Sequence, residues 1–342
     1  MTASKSFHIL LDANVWIAER LLQSAIGSAL LYAVTGAKAS IILPEVVELE
    51  VNRVLPELAE KAVAVIGREA SLLRQLSGHN LFFTGPSAVA VKDGIKDRWE
   101  KLDGVLVRIP FTHEQARSAL NRVIKKSAPS GENNEQFRDC CIWDAALSAA
   151  SDRTIHLVTA DTAFYESRNK NGGLAAPLLE ELRDAKRDVR IYPGLKDFLT
   201  AMGDSTLSID EKTIGAAIVQ SVMERAYDIA TDKGQFELGS PHKPKISGYA
   251  TPKPSLIAIS FEVVFDLKFV ELRGETEDQD GAELSLRGVC SYDPNNGEIS
   301  EIEVREWSTY LKGRHQGFLG VTSPDRVAME RQFGPSRMRV IS

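Results

Sequence analysis

The sequence predicts an α/β domain built on a mainly parallel sheet, followed by a smaller α+β domain with antiparallel strands. Three observations carry this expectation. Short apolar runs alternate with amphipathic stretches through the first two hundred residues, as at Phe7–Leu11, Ser40–Leu43 and Ile155–Val158. After about Ala201 the pattern changes to long stretches with a two-residue period. The 342 residues also exceed the usual size of one domain. The expected boundary separates residues 1–203 from 204–342.

Phe7–Leu11 is continuously apolar, which suits a strand buried on both faces, and Asp12 ends it. A helix is expected over about Val15–Val34, where Ile17, Leu21, Leu22, Ala25, Leu30 and Leu31 recur at helical spacings. Ser40–Leu43 is the second strand, Pro44 suits a helix N1 position, and Glu45–Leu58 continues as helix with Val47, Val51, Val54, Leu55 and Leu58 on one stripe. Residues 59–134 read as a mostly helical insertion or lid. Within it Lys61–Leu76 is helical, Leu81–Pro86 irregular, and Thr112–Lys126 a helix with Thr112 as N-cap and Gln115 at N3. Ser127–Asn134 is a polar loop, and helix resumes over Glu135–Ala150. Strand Ile155–Val158, helix Pro177–Ala185 and strand Val189–Tyr192 complete the first domain. Such alternation implies right-handed crossovers, with ligands bound beyond the C-terminal ends of the strands.

In the second domain Asp210–Thr231 is an amphipathic helix and Gly239–Pro254 a Gly-, Pro-, Ser- and Lys-rich connection. Strands follow at Leu256–Arg273, Ala282–Tyr292 and Glu298–Leu311, with Asp293–Gly297 as a turn. Residues 205–342 carry 21 Asp and Glu against 16 Lys and Arg, so most of the net charge of −6 lies there.

Hydrophobic residues make up 43% and charged residues 26%, a globular composition. The acidic balance argues against a nonspecific, strongly basic nucleic-acid coat protein. No apolar run is long enough to span a bilayer and Met1–Ser6 lacks a signal-peptide core, so a cytoplasmic protein without membrane contact is expected. Cys140, Cys141 and Cys290 have no zinc or disulfide spacing and are expected to be reduced and buried. His113, His156, His242 and His315 have no metal spacing, and no Walker loop or GxGxxG occurs.

The chemistry concentrates in acids. Asp12 and Asp161 each follow a strand, Glu50 lies in the helix after the second strand, and Asp139 opens an apolar helix. Clustered carboxylates repel and raise one another's pKa unless a cation is present. Hydrolysis of a phosphodiester needs an activated water and neutralisation of charge at phosphorus, which Mg²⁺ or Mn²⁺ on oxygen ligands provides. Glu48 competes with Glu50, and Asp144 with Asp139. Asp139 and Asp144 stand about 140° apart on a helix, so both cannot face one pocket. Individually, Asp161 also reads as a helix N-cap and Asp139 as a carboxylate favoured by a helix N-terminus.

Four motifs in order carry a family resemblance. Leu10-Leu11-Asp12-Ala13-Asn14-Val15-Trp16 resembles the opening motif of PIN-domain nucleases, and Ile42-Leu43-Pro44-Glu45-Val46-Val47 with Glu50 resembles their second acidic motif. Phe137-Arg138-Asp139-Cys140-Cys141-Ile142-Trp143-Asp144 is similar to the third, in the form seen in a larger prokaryotic subgroup. Leu157-Val158-Thr159-Ala160-Asp161-Thr162-Ala163-Phe164 resembles the late strand-loop motif. Over residues 5–200 the resemblance implies a three-layer α/β/α sandwich and metal-dependent cleavage of RNA. It implies Asp12, Glu50, Asp139 and Asp161 as catalytic metal ligands, with Asp144 a weaker candidate, and Asn14 and Thr159 as their support. The family pattern favours Glu50 over Glu48.

Arg117, Arg122, Lys125 and Lys126 are candidates for a phosphate-contacting rim, and Trp99 and Trp143 for base stacking. The basic tail (Lys312, Arg314, Arg326, Arg331, Arg337, Arg339) is a candidate contact for nucleic acid or a partner. The expected function is a Mg²⁺- or Mn²⁺-dependent endoribonuclease acting as a toxin, a defence effector or in RNA maturation, possible partners being RNA, a second copy or an inhibitory protein. Two alternatives differ in class. A haloacid dehalogenase-type phosphatase needs a second Asp where Asn14 stands, whereas a silent PIN scaffold binding RNA or protein needs no intact acids.

Overall fold

The computed structural model describes residues 8–77, 83–131, 136–151, 153–202, 209–231, 236–251, 256–269, 282–311 and 318–322. It divides into two compact units, Met1–Met202 and Gly203–Ser342. The basic tail beyond Thr322 and the ends of several expected elements, Phe7 and Arg273 among them, lie outside the described residues.

The N-terminal unit is a five-stranded parallel sheet flanked by helices. Its elements are β1 (His8–Leu11), α1 (Ala13–Ala18), α2 (Ala25–Gly36), β2 (Ser40–Pro44), α3 (Glu45–Ser77) and α4 (Ala88–Leu102). There follow β3 (Leu106–Ile109), α5 (His113–Lys125), α6 (Phe137–Ala149), β4 (Ile155–Val158), α7 (Ala176–Ala185), β5 (Val189–Tyr192) and α8 (Leu195–Met202). The strand order is β3-β2-β1-β4-β5. From β1 the chain steps outward to β2 and β3, then returns across to β4 and β5. Right-handed crossovers in opposite directions place their helices on opposite faces. The C-terminal ends of β1 and β4 are therefore the point where the chain diverges, the usual crevice for a ligand in such sheets. Ile9, Leu10 and Leu11 are fully buried, as a central parallel strand requires.

Several expectations are corrected. The helix foreseen over Val15–Val34 is two helices, α1 and α2. Between them Arg20, Leu21 and Leu22 take left-handed φ of 50°, 56° and 58°, unfavourable for residues with a Cβ. Burial of both leucines offsets this, and Arg98 of α4 donates to the carbonyls of Leu21 at 2.9 Å and Leu22 at 3.1 Å. The Ser24 hydroxyl caps α2 by accepting from the Gly27 amide at 3.0 Å. A Cβ on Gly27 would lie 2.6 Å from the Leu22 backbone, so the sharp corner needs glycine.

Pro44 closes β2 rather than opening a helix. The helices foreseen at Glu45–Leu58 and Lys61–Leu76 are one 33-residue helix that continues past Pro56. Leu58, Ala59, Glu60 and Lys61 are good helix formers that give no reason to stop. Residues 59–134 are not simply a helical insertion, because they contain β3, an edge strand of the sheet. β3 is short, lies at the sheet edge with Val107 and Arg108 exposed, and stands among long helices, so it was not foreseen. α4, capped by Ser87, and α8 were not foreseen either. The capping box of Thr112 and Gln115 does form at the start of α5.

In the C-terminal unit one helix packs on an antiparallel sheet. The elements are α9 (Glu211–Thr231), β6 (Phe236–Pro241), β7 (Lys245–Ala250), β8 (Ile257–Phe269), β9 (Ala282–Asp293), β10 (Glu298–Leu311) and β11 (Phe318–Thr322). The strand order is β11-β10-β9-β8-β6, with β7 also pairing β8. Ile214, Ile218, Val222, Ala226 and Ala230 recur every four residues on α9 and are buried against Phe261, Val263, Phe265, Leu284 and Leu286. The connection expected at Gly239–Pro254 supplies two short edge strands, where proline and lysine are tolerated.

All three cysteines are free and buried, and burial pushes the Cys140 thiol up to about 11 and Cys141 and Cys290 up to about 12. No described helix is long and apolar enough to cross a membrane.

The left-handed corner generates a test. Arg98→Ala leaves two carbonyls without their charged donor and is expected to lower stability by about 2 kcal/mol in urea unfolding. Arg53→Ala, which breaks an exposed pair with Glu57, is expected to cost less than about 0.5 kcal/mol.

Candidate metal centre

The centre is built at the divergence of β1 and β4. The Asp12 amide donates to the Val158 carbonyl at 3.0 Å, carrying the strand pairing one residue past β1. Asp12 then caps α1, its Oδ1 accepting from the Ala13 amide at 2.6 Å. Its Oδ2 accepts from Asn14 Nδ2 at 2.9 Å and from the Thr159 hydroxyl at 2.6 Å. Thr159 is fully buried just past β4, and its hydroxyl oxygen also accepts from the Asp161 amide at 3.0 Å. One hydroxyl thus ties the two strand-end aspartates together. Tyr165 donates to the Thr159 carbonyl at 2.8 Å and fixes the loop from behind. Asp161 caps the short 3₁₀ turn Thr162–Phe164, accepting from the Ala163 amide at 2.8 Å, so its N-cap reading holds alongside any other role.

The other two acids arrive on helices. Glu50 stands in the second turn of α3 and pairs with Arg138, while Asp139 lies in the first turn of α6. Asp12 is pushed up to about 6, chiefly by burial, against its hydrogen bonds from Thr159 and Ala13, with the charges of Asp161 and Glu50 adding. Asp139 is pushed up to about 8 by burial, then by the charges of Asp161 and Asp12, with Arg138 opposing and Glu50 adding. The four expected acids therefore act on one another in one neighbourhood.

Both rival acids are tied elsewhere. Glu48 pairs with Arg108 at 3.3 Å. Asp144 pairs with Arg122 at 3.1 Å, and no coupling to Asp12 or Asp161 figures in its raised pKa, which burial dominates.

Arg122 is not a rim residue, as had been expected. It is half-buried, and its guanidinium joins Asp144, Glu181 at 3.0 Å and the Ala128 carbonyl at 3.3 Å. Lys125 and Lys126 are exposed at the end of α5. Trp99 and Trp143 are buried, their indole N–H groups donating to Asn52 and Glu181, which removes them as stacking platforms. Sequence reasoning missed Arg138 and Gln136, whose Nε2 lies 3.5 Å from Asp161 Oδ1. The signal for Arg138 was its place beside Asp139, a cation adjoining an acid motif.

Oxygen donors of this kind suit Mg²⁺ or Mn²⁺. Among the described residues one trio of His, Cys, Asp or Glu ligand atoms lies within 4.8 Å of one another, and it belongs to the C-terminal unit. No three of the four acids offer ligand atoms that close together.

A carboxyl with a raised folded pKa binds its proton more tightly folded than unfolded, so it destabilises progressively as pH rises between those values. For Asp139 that window runs from its ordinary value of 3.8 to about 8. In EDTA, Asp139→Asn is expected to match wild type at pH 4 and to exceed it at pH 8, by on the order of 2 kcal/mol. Thermal unfolding at the two pH values measures this.

Residues 9–164 match the family model described as a PIN domain. No curated protein and no solved structure matches the chain. The match begins inside β1 and ends at the 3₁₀ turn after β4, so it spans all four acids, and the N-terminal unit of this chain carries a PIN domain.

Proposed function

We propose that the N-terminal unit is a metal-dependent endoribonuclease in which Asp12, Glu50, Asp139 and Asp161 hold Mg²⁺ or Mn²⁺. The observation that carries this is the convergence of the acids: Thr159 ties Asp12 to Asp161, and burial followed by the charges of neighbouring acids raises Asp12 to about 6 and Asp139 to about 8. A fold that only needed a turn would not keep four such groups together against their repulsion. The divalent ion supplies charge neutralisation at the phosphate and lowers the pKa of a bound water. The chain's own residues do the rest. Thr159 and Asn14 hold Asp12 in one orientation, and Thr159 sets the Asp161 backbone. Glu50 and Asp139 are carried on α3 and α6. Lys125 and Lys126, exposed at the C-terminal end of α5, offer positive charge to a polyanion.

A second reading, the silent scaffold, is favoured by one observation. Arg138 pairs with Glu50 and offsets the charge on Asp139, as a built-in cation would.

Two experiments separate these readings. With Mn²⁺ the full-length protein is expected to cleave single-stranded RNA, and Asp12→Asn or Asp161→Asn to reduce the rate by roughly 100-fold or more without lowering Tm. Variants cutting as fast as wild type would refute the site. Arg138→Ala is expected to tighten Mn²⁺ binding about fivefold in calorimetry, because the competing cation is gone. A scaffold would bind Mn²⁺ equally in wild type, Arg138→Ala and Asp12→Asn.

A further inference from the structure

The outer face of the C-terminal sheet carries a second cluster that the nuclease reading does not use. Ile259, Phe261, Val263, Phe265 and Leu267 of β8 point into the core with α9, so Glu262, Val264 and Asp266 point the other way. Along that face the cross-strand pairs differ. Glu262 stands opposite Arg287, and its carboxylate accepts from Arg287 Nε at 2.9 Å and Lys245 Nζ at 3.2 Å. Asp266 stands directly opposite Glu283, an acid against an acid. Directly opposed residues on one face of an antiparallel pair have side chains close enough to act together.

An imidazole stands beside this pair. The backbone of His242, just past β6, donates to the Val264 carbonyl at 2.7 Å, which folds the end of β6 onto β8. Its Nε2 lies 3.2 Å from Asp266 Oδ1. The close approach needs Gly239, where a Cβ would lie 2.9 Å from both the Cβ and the carbonyl oxygen of Asp266. One ligand atom from each of His242, Asp266 and Glu283 falls within 4.8 Å of the other two.

We propose that His242, Asp266 and Glu283 form a binding site for a divalent transition-metal ion of the zinc type, distinct in residues and in ligand chemistry from the acid pocket. One imidazole and two carboxylates are a borderline donor set that favours zinc over magnesium. Ligands about 2 Å from a tetrahedral ion stand roughly 3.3 Å apart, so the trio needs only to close slightly. Three protein ligands leave a fourth position open to water. The ion pins the residue after edge strand β6 to the β8–β9 pair.

The test is a Zn²⁺ titration of the full-length protein by calorimetry, with Asp12→Asn/Asp139→Asn as background so that the acid pocket does not contribute. The expected result is one equivalent of Zn²⁺ on that background, not displaced by about a tenfold excess of Mg²⁺. Adding His242→Ala, or separately Glu283→Gln, is expected to abolish that equivalent while the circular dichroism spectrum stays unchanged. His242 is partly exposed, so its replacement does not open the core. In the wild-type background His242→Ala is expected to bind one equivalent fewer, which gives the same answer if the double variant folds poorly. Equal numbers of Zn²⁺ bound with and without His242 would overturn the proposal.

Discussion

The hydrogen bond from the Asp12 amide to the Val158 carbonyl, 3.0 Å long, extends the β1–β4 pairing one residue beyond β1. The first acid of the candidate centre is thereby part of the sheet. Parallel pairing brings residues 12 and 159 side by side although 147 positions separate them in the chain. The Thr159 hydroxyl then spans the crevice, donating to Asp12 and accepting from the Asp161 amide. Glu50 and Asp139 need only be delivered from α3 and α6, which start near the same end of the sheet. The price of the arrangement is electrostatic, and it falls on Asp12 and Asp139, the two acids whose pKa values are raised most by burial.

Much of the sheet was readable from apolar runs. Ile155–Val158 and Val189–Tyr192 have the bounds expected: the first is buried at every residue, and the second is a partly buried edge strand whose Val189, Ile191 and Tyr192 follow a polar stretch. β3, at the opposite edge, was not foreseen, because it lies inside a stretch whose helical pattern dominates. The helices were less readable where tertiary contacts decide. Nothing local in Arg20-Leu21-Leu22 announces a left-handed corner, and the guanidinium that holds it comes from residue 98. The break expected at Ala59 and Glu60 has no helix-breaking residue behind it, and α3 runs on through it.

The acids show the same division. Asp12, Glu50, Asp139 and Asp161 were found by their places relative to strands and helices. Glu48 and Asp144, already ranked behind Glu50 and Asp139 by the family pattern and by helix geometry, pair with Arg108 and Arg122, which are 60 and 22 residues away. Arg122 itself was misread because three anchoring contacts from other elements convert a surface-looking cation into a structural hub. The His242 cluster was invisible at the sequence level, since its members lie at 242, 266 and 283 and meet only through β-sheet register.

The central claim is that the acids at the divergence of β1 and β4 bind a divalent ion. Crystals soaked in Mn²⁺ and measured at the manganese absorption edge test it most directly. The account predicts an anomalous peak about 2.2 Å from a carboxylate oxygen of Asp12, with Asp139 or Asp161 completing the coordination directly or through water. A density map with Arg138 still paired to Glu50 and no peak beside Asp12 would contradict it.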